Sequence, residues 1–491
     1  MAKKIDQSSR LSILEHARKL VGKSLRTADN ATDIDFDLVI DSEQSSKTRG
    51  TLGSYLEKYY FGINPGNESS PDFKEIGIEL KSHPVKLTNK GYIAKERLVL
   101  GMIDYHKLVK ENFRESKFFM KNKDILLMSY LHQKGINYLD FQFLLAEFLS
   151  YESFSDEDKR IILDDWTKIQ KKVTEGRAHE LSEGDTMYLG AVTKSSDATK
   201  RTSQPIGPDA KPRAFSYKNG FMTYKIRKFL GKEIEEDVLG FENGNIDFDN
   251  FIYEKISRHL GKSFDDIHKE FGNGLDRNGK GVNRILIQRM LGSNKKTVPE
   301  FEKANVTLKV IRVTKNKRIK EAISFPSFEF KKIIAEDIWE KSSLYKSLES
   351  SRFLFVFFKE DTQGVFRLDS YSFWNMPTTD LEKARLVWEK TKDIIKDGKI
   401  IKNIKINSRG GYLVINNFPG ISESEVLHVR PHAKNRLDTF GLPIRDKFFD
   451  KNTECLELAE KFDIGNNFTK QCFWLNQKYL KDIYLSSTYY S

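Results

Sequence analysis

The sequence predicts an α/β protein built from two tandem copies of one fold, and three internal matches carry that expectation. WTKIQKKVTEG at 166–176 aligns without a gap to WEKTKDIIKDG at 388–398, an offset of 222 residues (388 − 166). PDFKEIGIELK at 71–81 faces PEFEKANVTLK at 299–309, an offset of 228 (299 − 71). AKER at 94–97 faces IKEA at 319–322, an offset of 225 (319 − 94). The matches keep their order, and the offsets drift as loop lengths would make them drift. The first copy is expected over 1–230 and the second over 270–491, with a helical, glycine-containing connector over 231–269.

The elements follow in order. A helix is expected from about Ser9 to Gly22, with Leu11, Leu14 and Ala17 on one apolar stripe. VGKS at 21–24 is half of a phosphate-binding loop, but the glycine such a loop needs five residues earlier is Ala17, so that reading is rejected. TLGSYLEKYYFG at 51–62 reads as a helix ended by Gly62. Strands are expected over 72–83, over 95–102 and through DILLMSYL, the last fully buried. Residues 156–176 form an amphipathic helix stopped by glycine. The stretch from 190 to 220, rich in Ser, Thr, Lys, Pro and Gly, reads as long loops. NGNIDFDNFIYE at 243–254 resembles a calcium loop only loosely and lacks its central glycine, so a helix-capping turn is expected there.

Composition bounds the function. With 491 residues, 38% hydrophobic and 31% charged, the chain suits a soluble globular protein of two or three domains. No apolar run approaches the length of a membrane span, and the first twenty residues hold no signal-peptide core, so a cytoplasmic location is the expectation. Two cysteines make neither a disulfide framework nor a zinc site. The net charge of +12 makes nucleic acid the first partner to consider, beside the plainer reading of solubility charge.

One strand carries chemistry. In PDFKEIGIELKSHP, Ile76, Ile78 and Leu80 alternate with Gly77, Glu79 and Lys81. Glu79 and Lys81, two apart, share a strand face, and Asp72 completes the pattern D-x6-E-x-K. Two carboxylates suit a hard cation such as Mg2+, and a nearby ammonium can orient or deprotonate a water. That is equipment for phosphodiester hydrolysis; the plainer reading is a solvated face with an ion pair. The repeat acts as a control: Asp72 faces Glu300 and Lys81 faces Lys309, but Glu79 faces Thr307 and Glu57 falls near Ile287. The first copy is thus expected to do chemistry and the second only to bind.

LEKYYFG followed by PDFKEIGIELKSHPV resembles the core of the MutH mismatch-repair nicking endonuclease, and still more its restriction-enzyme relatives, the Sau-type endonucleases that read GATC. KERLVL (95–100), EGRAHELSEG and RAFSYKNGFMT (within 175–223) extend the similarity over most of the first half. HVRPHAKN (428–435) resembles the family's DNA-reading loop and QCFWLNQKYL (471–480) the segment after it. The resemblance implies two copies of a MutH-like PD-(D/E)XK nuclease fold, a mixed sheet flanked by helices, the second catalytically degenerate. It implies Mg2+ as cofactor, Asp72 and Glu79 as its ligands, Lys81 beside the attacking water, Glu57 on a helix next to the metal, and Lys95 as a further active-site lysine. Arg430, His432 and Lys434 would contact double-stranded DNA. The first half departs from the family's RPxAxN form with LGAVTKSSDA, and Lys194, set opposite Lys434, is its candidate base reader. The implied activity is type II restriction at GATC by a monomer that dimerises transiently on DNA, its second domain an allosteric DNA site or a cleft-closing element. The alternatives are a GATC-directed repair nickase and a non-catalytic methylation-sensing protein.

Overall fold

The computed structural model describes residues 5–28, 52–63, 70–194, 199–232, 238–241, 246–295, 297–408, 410–431, 437–438, 453–464 and 468–487. The chain divides into two compact units, one of Met1–Ile252 with Leu291–Thr307, the other of Tyr253–Met290 with Leu308–Ser491.

In the first unit Ser9 caps helix α1 (Arg10–Arg18), its side chain accepting from Ser12 N. The buried stripe of α1 is Ile13 and Ala17; Leu11, expected on it, is exposed. Helix α2 (Leu52–Tyr55) runs on into a π-helical turn, Leu56–Tyr60. Strand β1 (Glu79–Thr88) follows, then β2 (Gly91–Ala94), β3 (Leu98–Met102), α3 (Tyr105–Leu108), α4 (Lys117–Asn122), β4 (Asp124–Leu131) and β5 (Phe143–Ser150). Helix α5 (Asp156–Thr174) opens at Ser155, whose side chain accepts from Asp158 N. Strands β6 (Leu189–Thr193) and β7 (Arg213–Tyr217) lead to α6 (Asn219–Phe229).

Two sheets result. One has the order β2-β1-β4-β5, with β1 and β4 parallel and the flanking pairs antiparallel. The other is antiparallel with the order β3-β7-β6. Ile125 to Met128 in β4 are fully buried, as a central strand covered on both faces requires. The stretch from 190 to 220 is not all loop. It holds the rest of β6 and all of β7, whose five residues are buried and whose N–H and C=O groups pair within the sheet. The strand expected from residue 72 begins at Glu79, because Phe73 to Ile78 close a turn.

The chain continues as α7 (Phe248–Ser257), α8 (Phe264–Phe271), α9 (Val282–Met290) and α10 (Pro299–Lys303). Asp247 Oδ1 accepts from Asn250 N at 3.0 Å, so the 243–254 motif supplies a helix-capping turn. In the second unit come β8 (Val306–Val313), β9 (Ile323–Phe328), α11 (Phe330–Ile334), α12 (Ser343–Ser350), β10 (Arg352–Glu360), β11 (Phe366–Trp374) and α13 (Thr378–Lys396). A hairpin, β12 (Lys402–Ile406) and β13 (Tyr412–Asn416), precedes β14 (Leu427–Pro431), β15 (Leu437–Asp438), α14 (Thr453–Lys461), β16 (Phe468–Thr469), β17 (Gln471–Leu475) and α15 (Gln477–Ser486). Its sheets have the orders β8-β10-β11 and β9-β17-β14, matching β1-β4-β5 and β3-β7-β6. The repeated tryptophans pack alike: Trp166 lies 5.6 Å from Phe113, and Trp388 lies 5.4 Å from Trp339. Among the described residues no helix is long and apolar enough to cross a membrane.

Candidate active site

Three backbone features bring the charged side chains together. Phe73 N donates to Ile78 O at 2.9 Å and Gly77 N to Phe73 O at 2.9 Å, folding the chain back just ahead of β1. The turn needs Gly77, whose φ of +68° is a left-handed conformation that a side chain would strain. Asp72 is thereby placed beside the start of β1, where its Oδ2 accepts from Leu80 N at 2.8 Å. Glu79, first residue of β1, pairs in parallel register with Ile125 of β4. Glu57 stands on the π-helical turn after α2, a local widening that often marks a functional position.

Glu79 is 2% exposed. Its Oε1 receives the ammonium of Lys81 and, at 3.5 Å, that of Lys121. Its Oε2 is buried with no hydrogen-bond partner among the described residues. Burial raises the Glu79 carboxyl above the ordinary range; Lys81 opposes that shift and Asp72 adds to it. Glu57 is pushed up to about 7, by burial first and then by Asp72 and Glu79, against the pull of Lys81 and Lys121. The raised carboxyls of Glu57 and Glu79 both favour a cation nearby.

The residues fit a hard divalent ion. Among the described residues no three His, Cys, Asp or Glu side chains stand close enough to hold an ion by themselves. Mg2+ does not require that, since it is held by one or two carboxylates and keeps several waters. Asp72 and Glu79 Oε2, a buried oxygen with no hydrogen-bond partner among the described residues, would be the two donors.

Lys95, Lys194 and Arg430 make contacts of their own. Lys95 Nζ pairs with Glu96 at 2.9 Å, and the cations acting most strongly on Glu57 and Glu79 are Lys81 and Lys121. His83 is buried and held neutral, its imidazole pushed down to about 4 by burial. Lys194 is exposed at the end of β6, its N–H on Pro212 O at 2.9 Å. Arg430 lies over the Trp474 ring at 3.9 Å, and Trp474 Nε1 donates to Arg430 O at 3.1 Å. His432 and Lys434 lie outside the described residues.

Strand pairing fixes the ends of β6 and β14: Leu189 pairs with Tyr217 and Thr193 with Arg213; Leu427 pairs with Leu475 and Pro431 with Gln471.

Lys121 is the site residue that motif reading missed. It sits in the last turn of α4, and it meets Glu79 only because β4, which starts three residues later, pairs with β1. Equivalent serines cap α4 and α12: Ser116 Oγ accepts from Phe119 N at 3.1 Å, and Ser342 Oγ from Tyr345 N at 3.0 Å. Counting five residues from each cap places Ser347 where the first unit has Lys121. The residues that the internal repeat sets opposite Asp72, Glu79 and Lys81 make different contacts. Glu300 is buried and caps the backbone, its Oε1 accepting from Val238 N at 2.7 Å and Leu239 N at 2.6 Å. Thr307 is exposed, and burial pushes the Lys309 ammonium down.

Comparison with known proteins gives the family. The family model for the DNA mismatch repair enzyme MutH matches residues 61–165, which contain Asp72, Glu79, Lys81 and Lys121. The type II restriction enzyme Sau3AI of Staphylococcus aureus is 33% identical over 493 aligned residues, covering 96% of this chain and 97% of that protein. The chain belongs to the MutH-like nuclease family. The MutH mismatch repair proteins of two Vibrio vulnificus strains are each 22% identical over 229 residues, 46% of this chain but 96% of theirs. One MutH length within this family member is therefore about half the chain.

Proposed function

We propose that this protein is a type II restriction endonuclease that hydrolyses double-stranded DNA at GATC, with Mg2+ as cofactor. The single observation that carries the reading is Glu79: a buried carboxylate with one oxygen on two ammonium groups and the other unpartnered. Its near-full-length likeness to Sau3AI supports restriction over repair, and the MutH resemblance supports GATC.

In this reading Asp72 and Glu79 hold the ion, which when bound supplies Lewis-acid stabilisation of charge on the phosphate. Lys81 and Lys121 fix Glu79 Oε1, so that its other oxygen points into the site. Lys81 also orients the attacking water in line with the leaving oxygen. Glu57, its carboxyl raised by burial and by Asp72 and Glu79, stands where it can accept or yield a proton next to that water. We propose further that the two units are copies of one fold. The first, over 1–230, cuts. The second, over 270–491 beyond the connector 231–269, binds DNA through Arg430 and the loop after it and does not cut. It acts as an allosteric site in a cytoplasmic monomer that pairs transiently on DNA.

The test is incubation with Mg2+ and plasmids carrying defined GATC sites, methylated on A, on C or not at all, followed by sequencing of the ends. Double-strand ends at GATC are expected. Nicks confined to one strand would favour the repair nickase that the MutH matches allow, and binding without cutting would favour a methylation sensor.

A further inference from the structure

Among the described residues the second unit carries an element with no counterpart in the first. Between α13 and β14 lie 30 residues (427 − 396 − 1), where the first unit has 14 between α5 and β6 (189 − 174 − 1). The excess is the β12–β13 ribbon. A second excess lies between β14 and β17, 39 residues (471 − 431 − 1) against 19 between β6 and β7 (213 − 193 − 1), and contains α14. The two insertions brace each other: Ile404 packs with Cys455 and Ala459 of α14, and the Tyr412 ring lies 4.6 Å from Phe462.

The ribbon's outer half is bare. Ile406 is 54% exposed and Leu413 57%, and Tyr412 and Val414 are also exposed. Its turn is set: Asn407 N donates to Gly411 O at 2.8 Å, Gly411 N donates to Asn407 Oδ1 at 3.1 Å, and Gly410 takes a φ of +73°. Lys405, exposed, stands opposite Leu413. From 398 to 420 the sequence has four lysines and arginines and no Asp or Glu.

We propose that the β12–β13 ribbon is a DNA-contacting arm of the second unit, seating Lys405 and Leu413 in a groove of the duplex beside the site that unit reads. The inference rests on the DNA-binding role proposed above for that unit. A two-stranded ribbon fits the major groove, and aliphatic side chains there meet thymine methyl groups. The charge argues against the other obvious occupant, a second copy of the chain. Paired symmetrically, two such ribbons would set cation against cation with no acid between them, and lysine is depleted at chain–chain interface cores.

The experiment uses the full chain, a GATC duplex and Ca2+ in place of Mg2+, with anisotropy titrations over a salt series. Lys405→Glu is expected to weaken binding about tenfold and to lower the slope of log affinity against log salt by about 1. Leu413→Ser should weaken it several-fold with the slope unchanged. If the parent chain binds and both variants match it in affinity and slope, the ribbon assignment is overturned alone. If the variants shift only the concentration at which two chains sediment together, the ribbon is a chain–chain contact and the assignment also falls. If the parent itself fails to bind the duplex, the proposed function falls with it.

Discussion

At the scale of residues, the account turns on how one buried carboxylate is held. Glu79 shares Oε1 between two ammonium groups, and removing either leaves its charge less compensated in a site with little water. Lys121→Ala should therefore lower the cleavage rate by roughly 10²-fold or more, the range for general acid–base and electrostatic groups, while DNA affinity changes little. Quantified single-turnover cleavage checks this, and an unchanged rate would remove Lys121 from the site. Glu57 sets a pH dependence. Its folded-state carboxyl is raised to about 7 from 4.5. Without a metal ion its contribution to stability is thus fully present below 4.5 and is lost as pH rises through 7. The same proton competes with the ion, so affinity for Mg2+ or Ca2+ should rise between pH 6 and 8. Thermal denaturation with and without Ca2+ across that range should show a metal-induced gain that grows with pH, and Glu57→Gln should flatten it.

At the scale of elements, the site depends on a turn and a strand pair. Gly77→Ala puts a side chain into a left-handed position with open space around it, so the cost is backbone strain alone, about 1 kcal/mol. Its larger effect should be on cleavage, because the turn sets Asp72 against β1. Leu126→Ala, in the fully buried run of β4, should cost roughly 2–5 kcal/mol, read from denaturant unfolding. These elements differ in how far they could be read from sequence. The buried strand through Leu126 and the long helix to Gly176 were legible because periodicity and stop signals are local. Asp72, Glu79 and Lys81 were legible because they sit within ten residues on one strand and its turn. Lys121 was not, since it reaches Glu79 across a parallel strand pair that no local pattern announces. Strands β6 and β7 were hidden because five-residue strands between Pro, Gly and Ser look like loop.

At the scale of the whole molecule, the proposed reading gives each chain one catalytic set for a two-stranded target. The internal repeat sets Thr307 opposite Glu79, and Ser347 takes the place of Lys121 after the helix cap, so in the proposed reading both strands are cut only by two chains meeting on DNA or by successive nicks. Sedimentation with a GATC duplex and Ca2+ should show the particle doubling; no change would favour successive nicking. A plasmid with two GATC sites should be cut faster than one with a single site at equal site concentration, if DNA on the second unit favours a competent first unit. Equal rates would leave that unit as a cleft-closing element. The most direct measurement compares the parent chain with Glu79→Gln and Lys309→Ala on a GATC plasmid with Mg2+, alongside duplex affinity in Ca2+. Glu79→Gln is expected to bind DNA without cutting it, and Lys309→Ala to cut at the parent rate. A Glu79→Gln chain that still cleaves at GATC would contradict that expectation.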